Sequence, residues 1–248
     1  MMNYCKKILK TKKNNHISKK LIFLFFIFLT PVIWSQEKIN YVKYGITLKK
    51  SKDNNESHYN ELISNLELKL KQVTFDLNYN ASISKFSMNI NLLSKEDNST
   101  ILDIADMLGN EYYNKINSDT IFAKNQKVKK LNNYTCFSIV KTEWFVTNEK
   151  KIINGFECTK AYATLEKNYG DGEKIKVYDV IAWFCPEIKN SFGPKSYMGL
   201  QGMILELEQP LVIFTALNIS YRTELNGLAL PTKYIVSESS LYESIGQK

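Results

Sequence analysis

The chain has 248 residues, 33 Lys and Arg against 25 Asp and Glu (formal charge +8), two histidines and four cysteines. So few histidines, with no Cys-x-x-Cys or His-Glu-x-x-His spacing, exclude a histidine-built metal centre. The excess positive charge sits at one end of the chain, so it carries no argument for a nucleic-acid partner.

Lys6, Lys7, Lys10, Lys12, Lys13, Lys19 and Lys20 make a basic segment without an acid, and Leu21 to Leu29 follow as an unbroken apolar run. Pro31 breaks the run and Ser35 offers a small residue for cleavage, the pattern of a secretory signal peptide. The rival, an uncleaved anchor, needs roughly 20 apolar residues. Cys5 precedes the run and no cysteine follows it directly, which argues against lipid attachment there. The expectation is a signal peptide over 1–35, a mature domain over 36–248, and export to the periplasm, the outer membrane or the medium. The leader holds seven of the 33 basic residues and none of the acids, leaving 26 against 25 and a formal charge near +1.

Ile39 to Leu48, rich in aromatic and β-branched residues, reads as a first strand. Glu56 to Lys71 places Tyr59, Leu62, Ile63, Leu66 and Leu70 at helical spacing, with Asn55 or Ser57 as cap. A polar loop running into a strand is the alternative, since Leu66, Leu68 and Leu70 also alternate. Val73–Tyr79 and Ile83–Leu92 read as a strand pair around Asn80-Ala81-Ser82. Thr100–Leu108 reads as a short helix capped by Ser99 and ended by Gly109. Thr120–Lys124, Asn133–Thr147, Ile152–Glu166 and Lys174–Phe184 are further strands, with turns at Asn148-Glu149-Lys150 and Tyr169-Gly170-Asp171-Gly172. The lysines between Lys124 and Lys130 read as a solvated strand face or loop. Near the end, Leu211, Ile213, Leu217, Ile219 and Tyr221 share one face, opposite Asn218, Ser220 and Arg222. Short connections imply antiparallel neighbours. The expected fold is mainly β: a single antiparallel, strongly curved sheet of about ten strands, a half-barrel or open barrel, with one or two short helices. The half-barrel of lipoprotein carriers is an analogy of fold only.

The most distinctive segment runs from Gly193-Pro194 through Met198-Gly199-Leu200-Gln201-Gly202 into the apolar run Met203-Ile204-Leu205. Upstream lie Trp144-Phe145-Val146, then Lys151-Ile152-Ile153-Asn154-Gly155-Phe156-Glu157-Cys158-Thr159-Lys160-Ala161, then Ala182-Trp183-Phe184-Cys185-Pro186-Glu187-Ile188. In this order they resemble the GLPGLI family, exported Gram-negative (mostly Bacteroidetes) proteins generally described as of unknown function. Gln201 stands where the family usually has proline and Met203 where it has leucine. The resemblance marks Gly193, Pro194, Gly199, Leu200 and Gly202 as the signature turn, with Trp144, Gly155, Cys158, Lys160, Ala161 and Trp183 as family-like positions. The turn reads either as a structural element, with Gly199 and Gly202 at positive φ or close contact, or as a loop covering the mouth of the sheet. Trp144 and Trp183 read as core or rim aromatics more readily than as a stacking platform.

Few residues here suit catalysis. His16 belongs to the leader and His58 to the polar start of the helix. No Gly-x-Ser-x-Gly elbow or phosphate loop is present. Asp103 with Asp106, and Glu206 with Glu208, would share a face, but acid–base work needs carboxylates in different environments. Cys136, Cys158 and Cys185 sit in strand patterns, where burial makes thiols inert. A hairpin turn near Gly170-Asp171 would set Cys158 opposite Trp183 and Cys185 diagonally beyond it, ~7–8 Å away and out of disulfide reach. Free, buried thiols are expected.

The leading expectation is an exported, non-enzymatic envelope protein, binding an apolar ligand or lipid in its curved sheet and needing no cofactor. The alternative is a structural or assembly partner of outer-membrane machinery, and the third reading is an unrecognised hydrolase. An apolar pocket of several hundred Å³ favours the first. A filled core with an exposed apolar patch favours the second, and convergent carboxylates or a Cys–His contact the third.

Overall fold

The computed structural model describes residues 38–50, 57–89, 104, 108–124, 134–138, 142–168, 174–223, 228–232 and 235–237. Residues 1–37, where the signal peptide is expected, Asp103, Asp106 and the lysines after Lys124 lie outside the described residues, as does most of the Thr100–Leu108 segment; Ile104 and Leu108 within it are helical. The strands are β1 (Lys38–Leu48), β2 (Thr74–Tyr79), β3 (Ile83–Asn89), β4 (Tyr112–Lys115), β5 (Thr120–Lys124), β6 (Tyr134–Ser138), β7 (Phe145–Ile153), β8 (Phe156–Asn168), β9 (Lys174–Cys185), β10 (Met203–Glu208), β11 (Val212–Thr223) and β12 (Ile235–Ser237). One helix, α1 (Ser57–Leu70), lies between β1 and β2.

The strands build one open sheet in the order β12-β6-β5-β4-β3-β2-β1-β11-β10-β9-β8-β7. Only β12 with β6 is parallel among the described pairs. β1 is the seam. It pairs with β2 of the N-terminal meander on one side and with β11 of the C-terminal meander on the other. The mainly β, open antiparallel architecture and the helix are as the patterning implies.

On the inner face, Phe75 stacks on Phe86 (5.4 Å between centroids), and Phe214 meets both edge-on at 5.5 and 5.7 Å. Such pairs add ~0.5–1.5 kcal/mol each beyond their burial. Tyr44 joins Phe86 at 6.1 Å and donates its hydroxyl to the Ile204 carbonyl at 2.6 Å, so its polar tip is satisfied in the core. The apolar stripe of α1 packs here through Ile63, Leu66 and Leu70, leaving Leu62 and Leu68 exposed. Asn80 makes the β2–β3 turn, its Oδ1 accepting from the Ser82 and Ile83 amides at 2.9 and 2.7 Å.

Four expectations need correction. Asn148-Glu149-Lys150 is not a turn; these residues lie within β7, where the register slips between Val146 and Lys150. The hairpin turn is Asn154-Gly155, with φ of 53° and 84°, the two-residue Asn-Gly pattern whose twist matches its flanking strands. Ile152–Glu166 is therefore parts of two strands, and Asn133–Thr147 likewise divides between β6 and β7. In β11 the buried face is Val212, Phe214 and Ala216, while Leu211 and Leu217 are exposed. The β1 ladder skips Leu217, pairing Lys43 with Asn218 and Tyr44 with Ala216, so the phase changes there and Ile219 returns to the core side. Strand β4 was not anticipated; four residues are too few to display a period.

Candidate functional site

Between β9 and β10 the signature loop, residues 186–202, crosses the inner face and fills it. Phe192 is fully buried against Tyr79 (6.4 Å), and Leu200 is buried. The Lys195 carbonyl accepts from Asn114 Nδ2 at 2.8 Å, and its amine lies 5.4 Å from the centre of the Phe214 ring. Tyr197 packs on Trp144 at 6.3 Å and takes a hydrogen bond from Gln209 Nε2 at 2.9 Å, while Trp144 Nε1 donates to the Met198 carbonyl at 3.0 Å. The loop is thus tied to β4 on one side and to the segment before β7 on the other. Its return into β10 is fixed by Ile204 N–H to Phe192 O (2.9 Å) and Met203 N–H to Ile188 O (3.2 Å).

The loop runs so close to the sheet that two of its glycines have no room for a side chain. A Cβ at Gly193 would sit 2.7 Å from the Ile204 Cβ, and one at Gly202 only 2.2 Å from the Cys185 carbonyl oxygen. Lys195 holds a left-handed φ of 57° and burial lowers its amine to about 8, because the charged form is poorly solvated there. Sequence reasoning did not single out Lys195; it reads as an ordinary turn lysine until the loop is placed over Phe214.

At one end of the sheet the loop borders an open groove of about 460 Å³. The Ile116 amide donates to the Ser82 carbonyl at 2.9 Å and joins the β2–β3 and β4–β5 turns along one wall. Ala81, Ile116, Pro186, Leu200 and Gly202 make its largely apolar lining. Lys189, Asn190, Ser191 and Gln201 supply the polar groups.

The other family-like positions are scattered. Gly155 makes the β7–β8 turn, and Ala161 pairs with Ala182 in the core. Cys158 is fully buried in the core, and Lys160 pairs with Trp183 across β8 and β9. Lys151 Nζ binds Glu206 Oε1 at 2.7 Å, Thr215 Oγ1 donates to Glu206 Oε2 at 3.2 Å, and Lys160 holds Glu149 through two 2.9 Å contacts. The Lys151 and Lys160 amines lie 5.4 and 5.9 Å from the Trp183 ring centre, a cation–π cluster on its faces. Lys151 belongs to the family-like segment but its role was not legible, because its partner lies 55 residues on and three strands away, across β8 and β9. Glu206 and Glu208 each bind a lysine (Lys49 for Glu208, 3.5 Å) and do not act as a carboxylate pair.

His58 is exposed at the start of α1, and Cys136, Cys158 and Cys185 are free. The β8–β9 register sets Lys160, not Cys158, opposite Trp183, with an irregularity between Lys167 and Asn168. Extending that ladder brings Cys158 opposite Cys185, closer than the sequence suggested, and both remain thiols. Burial, then Cys185 and Glu206, pushes the Cys158 thiol up to about 12. Among the described residues no group of three or more His, Cys, Asp or Glu is gathered to hold a metal, and no helix is long and apolar enough to cross a membrane.

Residues 123–206, from the end of β5 into β10, match a family described as "Protein of unknown function (Porph_ging)". No curated protein matches the chain. Among solved structures it is similar to PNGF-II in its C2 crystal form, at 14% identity and a TM-score of 0.50, covering 85% of this chain and 33% of that one. The P21 form gives 14% identity and a TM-score of 0.47 with the same coverage. The chain therefore spans about a third of the length of these structures, and the likeness is one of fold.

Proposed function

We propose that this is an exported, non-enzymatic binding protein of the cell envelope, of the GLPGLI type, that holds an apolar chain in the groove beside its Gly-Pro loop. The groove carries the reading: the signature residues Leu200, Gln201 and Gly202 line a hollow of about 460 Å³, within the ~300–1,000 Å³ of small-molecule sites. The inner face, where the sequence placed the ligand, is filled by the loop, so the site moves to the loop's rim. Export rests on the leader, and sequencing of exported protein should find Gln36 at or near its N-terminus; material beginning at Met1 or Met2 overturns it.

The reading is tested by titrating decanol, a neutral single chain, into isotopically labelled protein. Saturable amide shifts at Ile116, Leu200, Gln201 and Gly202, lost when Ala81→Trp fills the groove, support it. Shifts elsewhere, or none, reject it. A second reading, an assembly partner of outer-membrane machinery, is favoured by exposed Phe145, Val146, Ile152 and Tyr162 on β7 and β8, with Phe145 stacked on Tyr162 at 5.4 Å. A silent decanol titration, with cross-links from β7 to an outer-membrane protein lost in Phe145→Ser, would select it. A hydrolase has the least support, since Glu206 is ion-paired and the Cys158 and Cys185 thiols are buried.

A further inference from the structure

We infer that the groove takes a free, single-chain fatty carboxylate, its alkyl chain lying on Leu200, Ile116 and Pro186 and its carboxylate meeting the Lys189 ammonium. This rests on the groove reading above and adds the ligand's charge and class. Of the side chains lining the groove, one is cationic and none is acidic. Glu187, in the same turn, does not line it. Lys49, Lys85, Lys150, Lys151 and Lys160 each lie within ion-pair distance of a glutamate. Lys189, by contrast, is exposed and has no carboxylate partner among the described residues.

The neighbouring Asn190 and Ser191 side chains likewise make no hydrogen bond among the described residues. Their amide and hydroxyl are therefore open to a carboxylate that Lys189 has already drawn in. The apolar walls begin directly beside these groups, at Leu200 and Pro186. A cationic and polar rim beside an apolar lining complements an amphiphile with an anionic head. A volume near the lower end of the usual range suits one alkyl chain better than the two of a membrane phospholipid. Because the groove is open, each methylene contributes at most about fourfold in affinity, the value for full burial. An exposed ammonium–carboxylate pair adds up to about fivefold.

The test compares decanoate, decanol and phosphatidylglycerol vesicles on the full chain, with amide shifts at Lys189, Leu200 and Gly202 as the readout. Decanoate should bind up to about fivefold more tightly than decanol, and Lys189→Gln should remove that difference. Lys189 is exposed, so this variant keeps the fold. Equal affinity for decanoate and decanol overturns the inference and leaves the groove reading standing. Binding of neither chain at these residues overturns both. Binding to vesicles without decanoate binding overturns the inference in favour of a membrane surface.

Discussion

Gly202→Ala is the sharpest probe of how the signature loop is held. The added Cβ would lie 2.2 Å from the Cys185 carbonyl oxygen, 2.6 Å from its carbon and 2.9 Å from the Pro186 Cα. All three are backbone atoms, so no side chain can swing away to relieve the contact. Either the end of β9 moves or the loop lifts from the inner face. Overpacking of this kind costs ~1–3 kcal/mol. The backbone at φ 157°, sparsely populated by residues with a side chain, adds ~1–3 kcal/mol. The expected loss is about 2–6 kcal/mol, a large share of the ~5–15 kcal/mol that holds a typical domain. For a chain of this size that is a fall in Tm of roughly 4–24 °C. Thermal and urea unfolding followed by circular dichroism measure it, with Gln201→Ala, at an exposed neighbour, as control within about ±0.5 kcal/mol. If Gly202→Ala unfolds with the control, the loop is not pinned against the end of β9 and the packing argument fails.

Gly199 meets nothing within 4 Å but has a φ of 99°, so Gly199→Ala should lose only the backbone term of ~1–2 kcal/mol; a loss equal to that of Gly202→Ala contradicts the steric reading. Lys195→Met should raise stability at pH 7. The folded amine titrates near 8, below the ordinary ~10.4, so between those values the unfolded chain holds more protons and wild-type stability rises with pH. The advantage of the variant is about 1–3 kcal/mol below pH 8, discounted for the residue's partial exposure, and shrinks from pH 8 to 10. A difference in Tm that is constant or grows across that range refutes it. Labelling the denatured, unreduced chain from Gln36 onward should count three thiols, and a count of one would reveal a disulfide. In the native state Cys158 should be slow, its thiol held near 12.

Much of the sheet was legible because strands carry their period locally. Val73–Tyr79, Thr120–Lys124 and Lys174–Phe184 emerged within a residue or so of their observed bounds, and so did α1, whose apolar residues recur at helical spacing. What failed was phase and register. The skipped Leu217 reverses which face of β11 is buried, and the slip between Lys167 and Asn168 moves Cys158 from Trp183 toward Cys185. Neither irregularity leaves a mark in a single strand, because each is a property of a pair. The Asn-Gly turn at Asn154 was present to be read, but Ile152–Glu166 looks continuous when taken as one apolar segment. For the site, the glycines of the signature were visible and the groove was not. Ala81 and Ile116 reach it from turns far upstream in the chain, brought together only by the sheet.

Native mass spectrometry of the protein purified gently from its own envelope tests the binding role most directly. A mass increment matching a single-chain amphiphile, retained by the wild-type chain and lost in Ala81→Trp, is the expected result. Bare protein in both preparations, or an increment that Ala81→Trp leaves in place, would contradict a ligand in the groove beside the Gly-Pro loop.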